Sequence, residues 1–181
     1  EHLDLEKITA VFGKNVHALR ILNGLQIKEL ADLTGIPASN ISIIEHHNHV
    51  PRLRGVVALA KALQFPVDLL LTQEIDILQD VETVVPALQW QELPVTVDMK
   101  AMGERIRALR HSQNDESKGQ SVAFVEQIGM DYNVYNNVEL GKHDDLSLPT
   151  VIKIANFYHK SIFYLVTGKL SSVVYPDFDL A

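Results

Sequence analysis

Apolar residues fall at Ile8, Val11, Phe12, Val16, Leu19 and Leu22, the three- and four-residue spacing of an amphipathic helix, and Asn23-Gly24 stops it. Ile27, Leu30, Ala31 and Leu33 mark a second helix, ended by Gly35. Pro37 suits the first turn of a third, with Ile41 and Ile44 as its inner face and Ser39, Asn40, Ser42 and Ile43 pointing elsewhere. Leu53, Val56, Val57, Leu59, Ala60 and Leu63 predict a fourth helix, and Val67 to Leu71 a short fifth behind Pro66. Period-2 alternation is nearly absent, so the pattern predicts an all-α chain.

The pattern then returns. Gly13 to Leu25 matches Gly103 to Asp115 through the glycine, an apolar fourth position and Ala-Leu-Arg. Gly35 and Glu45 match Gly129 and Glu139, and Leu53 to Thr72 matches Leu148 to Gly168 at a constant offset. Within Gly129 to Gly141, Val134, Tyr135 and Val138 read as inside, and Tyr132, Asn133, Asn136 and Asn137 as outside. Such self-similarity predicts a tandem duplication. Its parts are a first domain at 1–72, an acidic linker at 73–98 and a second domain with a C-terminal tail at 99–181. In the linker, Ile75, Leu78 and Val81 or Val84 are helically spaced, Pro86 and Pro94 interrupt, and Val95-Thr96-Val97 reads as extended. Trp90 and the tail residues Val173, Val174, Tyr175 and Phe178 are candidates for burial on the protein or a partner.

A short helix, a turn containing Gly and a second short helix form a helix-turn-helix. On Ala18-Leu19-Arg20, Gly24-Leu25, Glu29-Leu30-Ala31, Gly35-Ile36, Ser39, Ile41, Ile44-Glu45, Pro51, Leu53 and Ala60 through Thr72, the first copy resembles the lambda-repressor and Cro type helix-turn-helix family, also called the XRE family. The second copy, residues 102–168, is looser but keeps Gly103, Arg110, Gly129, Glu139, Gly141, Ala155 and Leu165 to Gly168. The resemblance implies two five-helix domains in which Arg20 pairs with Glu45, and Arg110 with Glu139, to brace the third helix of each copy. It also implies a sequence-specific regulator of transcription, a repressor in the commonest case, that reads double-stranded DNA.

Carried over position by position, the family's base-reading face falls on Ala38, Ser39, Asn40, Ser42 and Ile43, and on Tyr132, Asn133, Asn136 and Asn137. Asn amides suit adenine, while Ala and Ile suit a thymine methyl. Phosphate contacts fall on Lys28, Arg52 and Arg54 in the first copy and on Gln120, Ser121 and Lys142 in the second. Two departures stand against the pattern. Where the family opens its second helix with Gln, the first copy has Ile27, and Arg110 to Glu139 spans 29 residues against 25 from Arg20 to Glu45, the excess lying in the polar segment Ser112 to Ser121.

Net charge changes the picture only through its distribution. The chain of 181 residues carries −7, which opposes phosphate binding. Residues 1–72 hold seven basic and seven acidic side chains, 73–98 none and six, and 99–181 nine and ten, so the acidity concentrates in the linker. That leaves a protein-interaction or antitoxin-like module, with one or both copies no longer binding DNA, as the rival reading. Cysteine is absent, no apolar run reaches the roughly 18 residues of a membrane span, and Glu1 to Lys7 has neither region of a signal peptide, so a soluble cytoplasmic protein without membrane partners is expected.

His46, His47 and His49 cluster, but consecutive histidines at a helix end diverge and lack Cys or carboxylate partners, so neither metal nor cofactor is expected. No phosphate loop, nucleophile elbow or paired-carboxylate motif points to an enzyme. The 26-residue linker, at about 3.3 Å per residue, is long enough for the two copies to read half-sites roughly 34 Å apart from one chain. A homodimer through the linker or the tail is the other assembly the sequence allows.

Overall fold

The computed structural model describes residues 3–75, 92–113 and 122–170, and the described residues form ten α-helices and no strand. In chain order these are α1 (Leu5–Leu22), α2 (Ile27–Thr34), α3 (Ala38–His46), α4 (Leu53–Leu63), α5 (Val67–Thr72), α6 (Met99–Gln113), α7 (Val122–Ile128), α8 (Tyr132–Glu139), α9 (Leu148–Tyr158) and α10 (Ile162–Thr167). Trp90, Gln120, Ser121, the polar segment from 114 and the tail from 171 lie outside the described residues.

Local signals set the helix ends. Asp4 opens α1 by accepting the N–H groups of Glu6 (2.9 Å) and Lys7 (3.3 Å), satisfying donors that the helix itself leaves without partners. Gly35, in the left-handed region at φ 74°, closes α2, and Pro37 leads into α3. Asp98 starts α6 by accepting from Lys100 and Ala101. Val95 and Thr96, expected to be extended, instead form the bend leading into this cap, with Val95 in solvent and Val97 buried.

Helix α1 lies across α3 and α5, while α2 packs on α3 and α4; α6 lies across α8 and α10, while α7 packs on α8 and α9. A Cβ added at Gly13 would stand 2.2 Å from the Ile44 carbonyl oxygen, and one at Gly103 would stand 2.5 Å from the carbonyl oxygens of Val138 and Glu139. The paired glycines of the sequence repeat therefore allow the same close crossing twice. Phe12, Val16, Leu30, Ile41, Ile44 and Leu70 fill the first core, and Met102, Ile106, Tyr135, Val151 and Leu165 the second. Two assignments shift. Leu33 is 62% exposed, because Ile27, Leu30, Ala31 and Thr34 form the stripe that packs and Leu33 falls beside it. Val134, expected inside, is 41% exposed, since it lies about 100° around the helix from Tyr135 on the 135–138–139 face.

The two halves are joined by bonds that cross between them. Asp68 on α5 accepts the N–H groups of Ile162 (2.8 Å) and Phe163 (3.0 Å) at the start of α10. Asp145, in the loop before α9, accepts the Arg54 N–H (3.1 Å), and the Leu146 carbonyl accepts the Leu53 N–H (2.9 Å), at the start of α4. Each half thus caps a helix of the other with a carboxylate. The arms before α1 and α6 are shared in the same way. Asn156 on α9 bonds both backbone groups of Leu3 (2.7 and 2.9 Å), and Lys61 on α4 donates to the Leu93 carbonyl (2.8 Å). By the offsets of the sequence repeat, Leu3 corresponds to Leu93 and Lys61 to Asn156. The exchange therefore follows an approximate two-fold relation.

Candidate nucleic-acid interface

A bidentate ion pair braces each third helix. Arg20 Nε and Nη2 lie 2.6 and 3.1 Å from the two carboxylate oxygens of Glu45, and Arg110 repeats the fork on Glu139 at 2.6 and 3.0 Å. Arg20 also donates to the Leu25 carbonyl (2.8 Å), and His17 Nδ1 stands 3.0 Å from Glu45. Burial pushes the Glu45 carboxyl upward, but the bonds from Arg20 and His17 outweigh it and hold the group below its ordinary range. The Glu45 bond raises Arg20, and the Glu139 bond raises Arg110. Both pairs fix the orientation of a helix whose opposite face is wet.

On α3, Ala38, Ser39, Asn40 and Ile43 are exposed and Ser42 is half-buried, while Ile41 and Ile44 lie in the core. On α8, Tyr132, Asn133 and Val134 are exposed and Asn136 and Asn137 half-buried, opposite Tyr135 and Val138. The predicted reading residues of each half thus lie on the outward side of α3 and of α8. Residues 16–70 match the helix-turn-helix family model. In that helix-turn-helix segment, α2 and α3 are the paired short helices, Gly35 makes the turn, and α3 is the second member. Comparisons with curated proteins and with solved structures give no match.

The two wet faces begin differently. Pro37 precedes α3 and offers no side-chain cap, whereas the Asp131 carboxylate caps α8 by accepting from Asn133 (2.8 Å) and Val134 (3.2 Å). A negative charge therefore stands at the leading end of α8 alone. Beneath α8, Tyr135 and Tyr158 share a buried hydroxyl bond of 2.6 Å where the first half has Ile41 and Leu63. Burial pushes both phenols up, Tyr158 to about 12.

The predicted phosphate contacts do not share one setting. Lys28 and Lys142 are exposed. Arg52 and Arg54 instead reach toward the loop before α9: Arg54 Nε donates to the Asp144 carbonyl, Arg52 Nη2 donates to the Asp145 carbonyl (3.3 Å), and Arg52 Nε is 4.0 Å from the Asp145 carboxylate. Sequence reasoning found neither these acidic partners nor Asp68. The signal for Asp68 was a lone carboxylate in the apolar run Pro66 to Leu71. Among the described residues no group of His, Asp or Glu is arranged to hold a metal, and no helix is long and apolar enough to cross a membrane.

Proposed function

We propose that the chain is a sequence-specific regulator of transcription, of repressor type, that binds double-stranded DNA with α3 and α8 as its two reading helices. The observation that carries this is the outward face of α3, which presents Ser39, Asn40 and Ile43 to solvent from a helix locked by the Arg20–Glu45 fork. Such a face can enter a major groove, where Asn reads adenine and an aliphatic side chain meets the thymine methyl. The repeated glycine crossing, the repeated fork and the exchanged arms support reading the chain as two tandem copies that act as a covalent pseudo-dimer.

Because Ala38, Ser39 and Ile43 differ from Tyr132, Asn133 and Asn137, one chain takes an asymmetric site. Selection of bound duplexes from a random pool tests this, repeated with Ser39→Ala plus Asn40→Ala and with Asn133→Ala plus Asn137→Ala. Each pair is expected to relax preference in its own half of the site, at roughly 1–3 kcal/mol per lost bidentate contact. A perfect palindrome bound by one chain contradicts the asymmetry, and unchanged preference in both variants removes the assigned faces. The net charge of −7 and Asp131 at the tip of α8 favour the rival, an interaction module without DNA affinity, which predicts no salt-dependent retention on random DNA.

A further inference from the structure

Two of the arginines that the resemblance assigns to DNA phosphates are engaged by the other half of the chain. Arg52 and Arg54 flank Leu53 at the start of α4, just after α3, and their guanidinium groups donate to main-chain carbonyl oxygens, that of Arg52 to Asp145 and that of Arg54 to Asp144. The engagement lies at the surface, with the Arg52 side chain 61% exposed and that of Asp145 25%. Carbonyl and carboxylate oxygens offer a guanidinium acceptors of the kind a phosphate offers, and the Asp145 carboxylate, 4.0 Å from Arg52 Nε, sets one negative charge where an incoming backbone would bring its own. An exposed pair of this kind is weak enough to be exchanged for another anion.

We propose that the Asp144–Asp145 turn, through the carbonyl oxygens of both residues and the Asp145 carboxylate, forms an internal phosphate substitute that occupies Arg52 and Arg54 in the free protein and subtracts from sequence-independent affinity until DNA displaces it. The proposal rests on the DNA-binding reading. It assigns the short acidic loop a regulatory part: the junction between the halves holds its basic groups in reserve, and only a duplex seated well enough to bring phosphates to Arg52 and Arg54 recruits them. Non-specific binding is thereby penalised more than specific binding, because the former depends on phosphate contacts throughout.

The test is fluorescence anisotropy of the full chain with a labelled random-sequence duplex between 50 and 200 mM salt. Asp145→Asn, which removes the charge beside Arg52 and keeps an oxygen to accept the Arg54 N–H, is expected to tighten binding by about threefold at the lowest salt and to steepen the salt dependence by about one unit, for the phosphate contact that Arg52 recovers. Arg52→Gln plus Arg54→Gln is expected to weaken wild-type binding by less than about twofold and to abolish the gain in the Asn background. Glu6→Gln plus Glu104→Gln, which removes two exposed charges elsewhere, should leave the slope unchanged. The proposal is overturned if Asp145→Asn binds no tighter, if the gain survives loss of the arginines, or if the control reproduces it. Should Asp145→Asn lower the melting temperature, its comparison with Asp145→Asn plus Arg52→Gln, which shares the same loss of the carboxylate, carries the test: only the variant that keeps Arg52 gains affinity. Wild type that binds while Asp145→Asn does not tighten removes this inference alone; no binding by any variant removes the DNA reading with it.

Discussion

Asp68 on α5 accepts the backbone N–H of Ile162 at 2.8 Å, and that of Phe163 at 3.0 Å, across the boundary between the halves. With Ser161 Oγ accepting from Tyr164 (3.0 Å), the first three donors of α10 are satisfied, two of them by a residue 94 and 95 positions away. Asp68→Ala leaves those two donors buried without acceptors and is expected to cost about 2–4 kcal/mol. Urea unfolding of the full chain measures it; a loss under about 0.5 kcal/mol would mean that the cap contributes nothing.

The same carboxylate is fully buried, and that burial pushes its pKa from 3.8 to about 6 despite the two donors. A folded-state value above the unfolded one means that the native protein binds this proton more tightly. Its contribution to stability is therefore complete below about pH 4 and is lost as pH rises through 6. Wild type is expected to lose on the order of 3 kcal/mol relative to Asp68→Asn between pH 4 and 7. A constant difference over that range would contradict the raised value.

Arg20→Ala should be worse than removing both partners. The single change leaves the Glu45 carboxylate, whose side chain is out of solvent, with His17 as its remaining partner, at about 3 kcal/mol, whereas Arg20→Met with Glu45→Met replaces the pair with apolar atoms and should cost far less. A double-mutant cycle in denaturant checks the order. Additive losses would show that the fork does not couple.

Gly13→Ala forces a methyl group into the Ile44 carbonyl, and Gly103→Ala does the same at Val138 and Glu139. Each is expected to destabilise by about 1–3 kcal/mol through displacement of the crossing helix. Gly24→Ala is the informative comparison: it meets no atom and bears only the left-handed φ of 67°, so a cost near 1 kcal/mol is expected there. Thermal melts that rank Gly24→Ala above Gly13→Ala would reverse the steric argument.

Helix existence and the Arg–Glu forks were legible because their determinants are local or belong to a recognisable pattern: apolar spacing, Gly35 after α2 and the repeated Ala-Leu-Arg. The outward placement of Ser39, Asn40, Tyr132 and Asn133 follows from the same periodicity. Val134 and Leu33 were misplaced where apolar residues outnumbered the positions one stripe can bury, since periodicity cannot then say which stays out. The junction between the halves was not legible at all. Asp145 meets Arg54 across 91 residues and Asn156 meets Leu3 across 153, and nothing in spacing indicates which distant donor a surface carboxylate or amide will find.

The reciprocal arms carry a consequence for dose. Two separate subunits sharing these surfaces would come apart on dilution, and their occupancy of any target would climb with the square of their abundance. Here Leu3 and Asn156 travel on one polypeptide, as do Leu93 and Lys61, so the joint between the halves does not come apart on dilution.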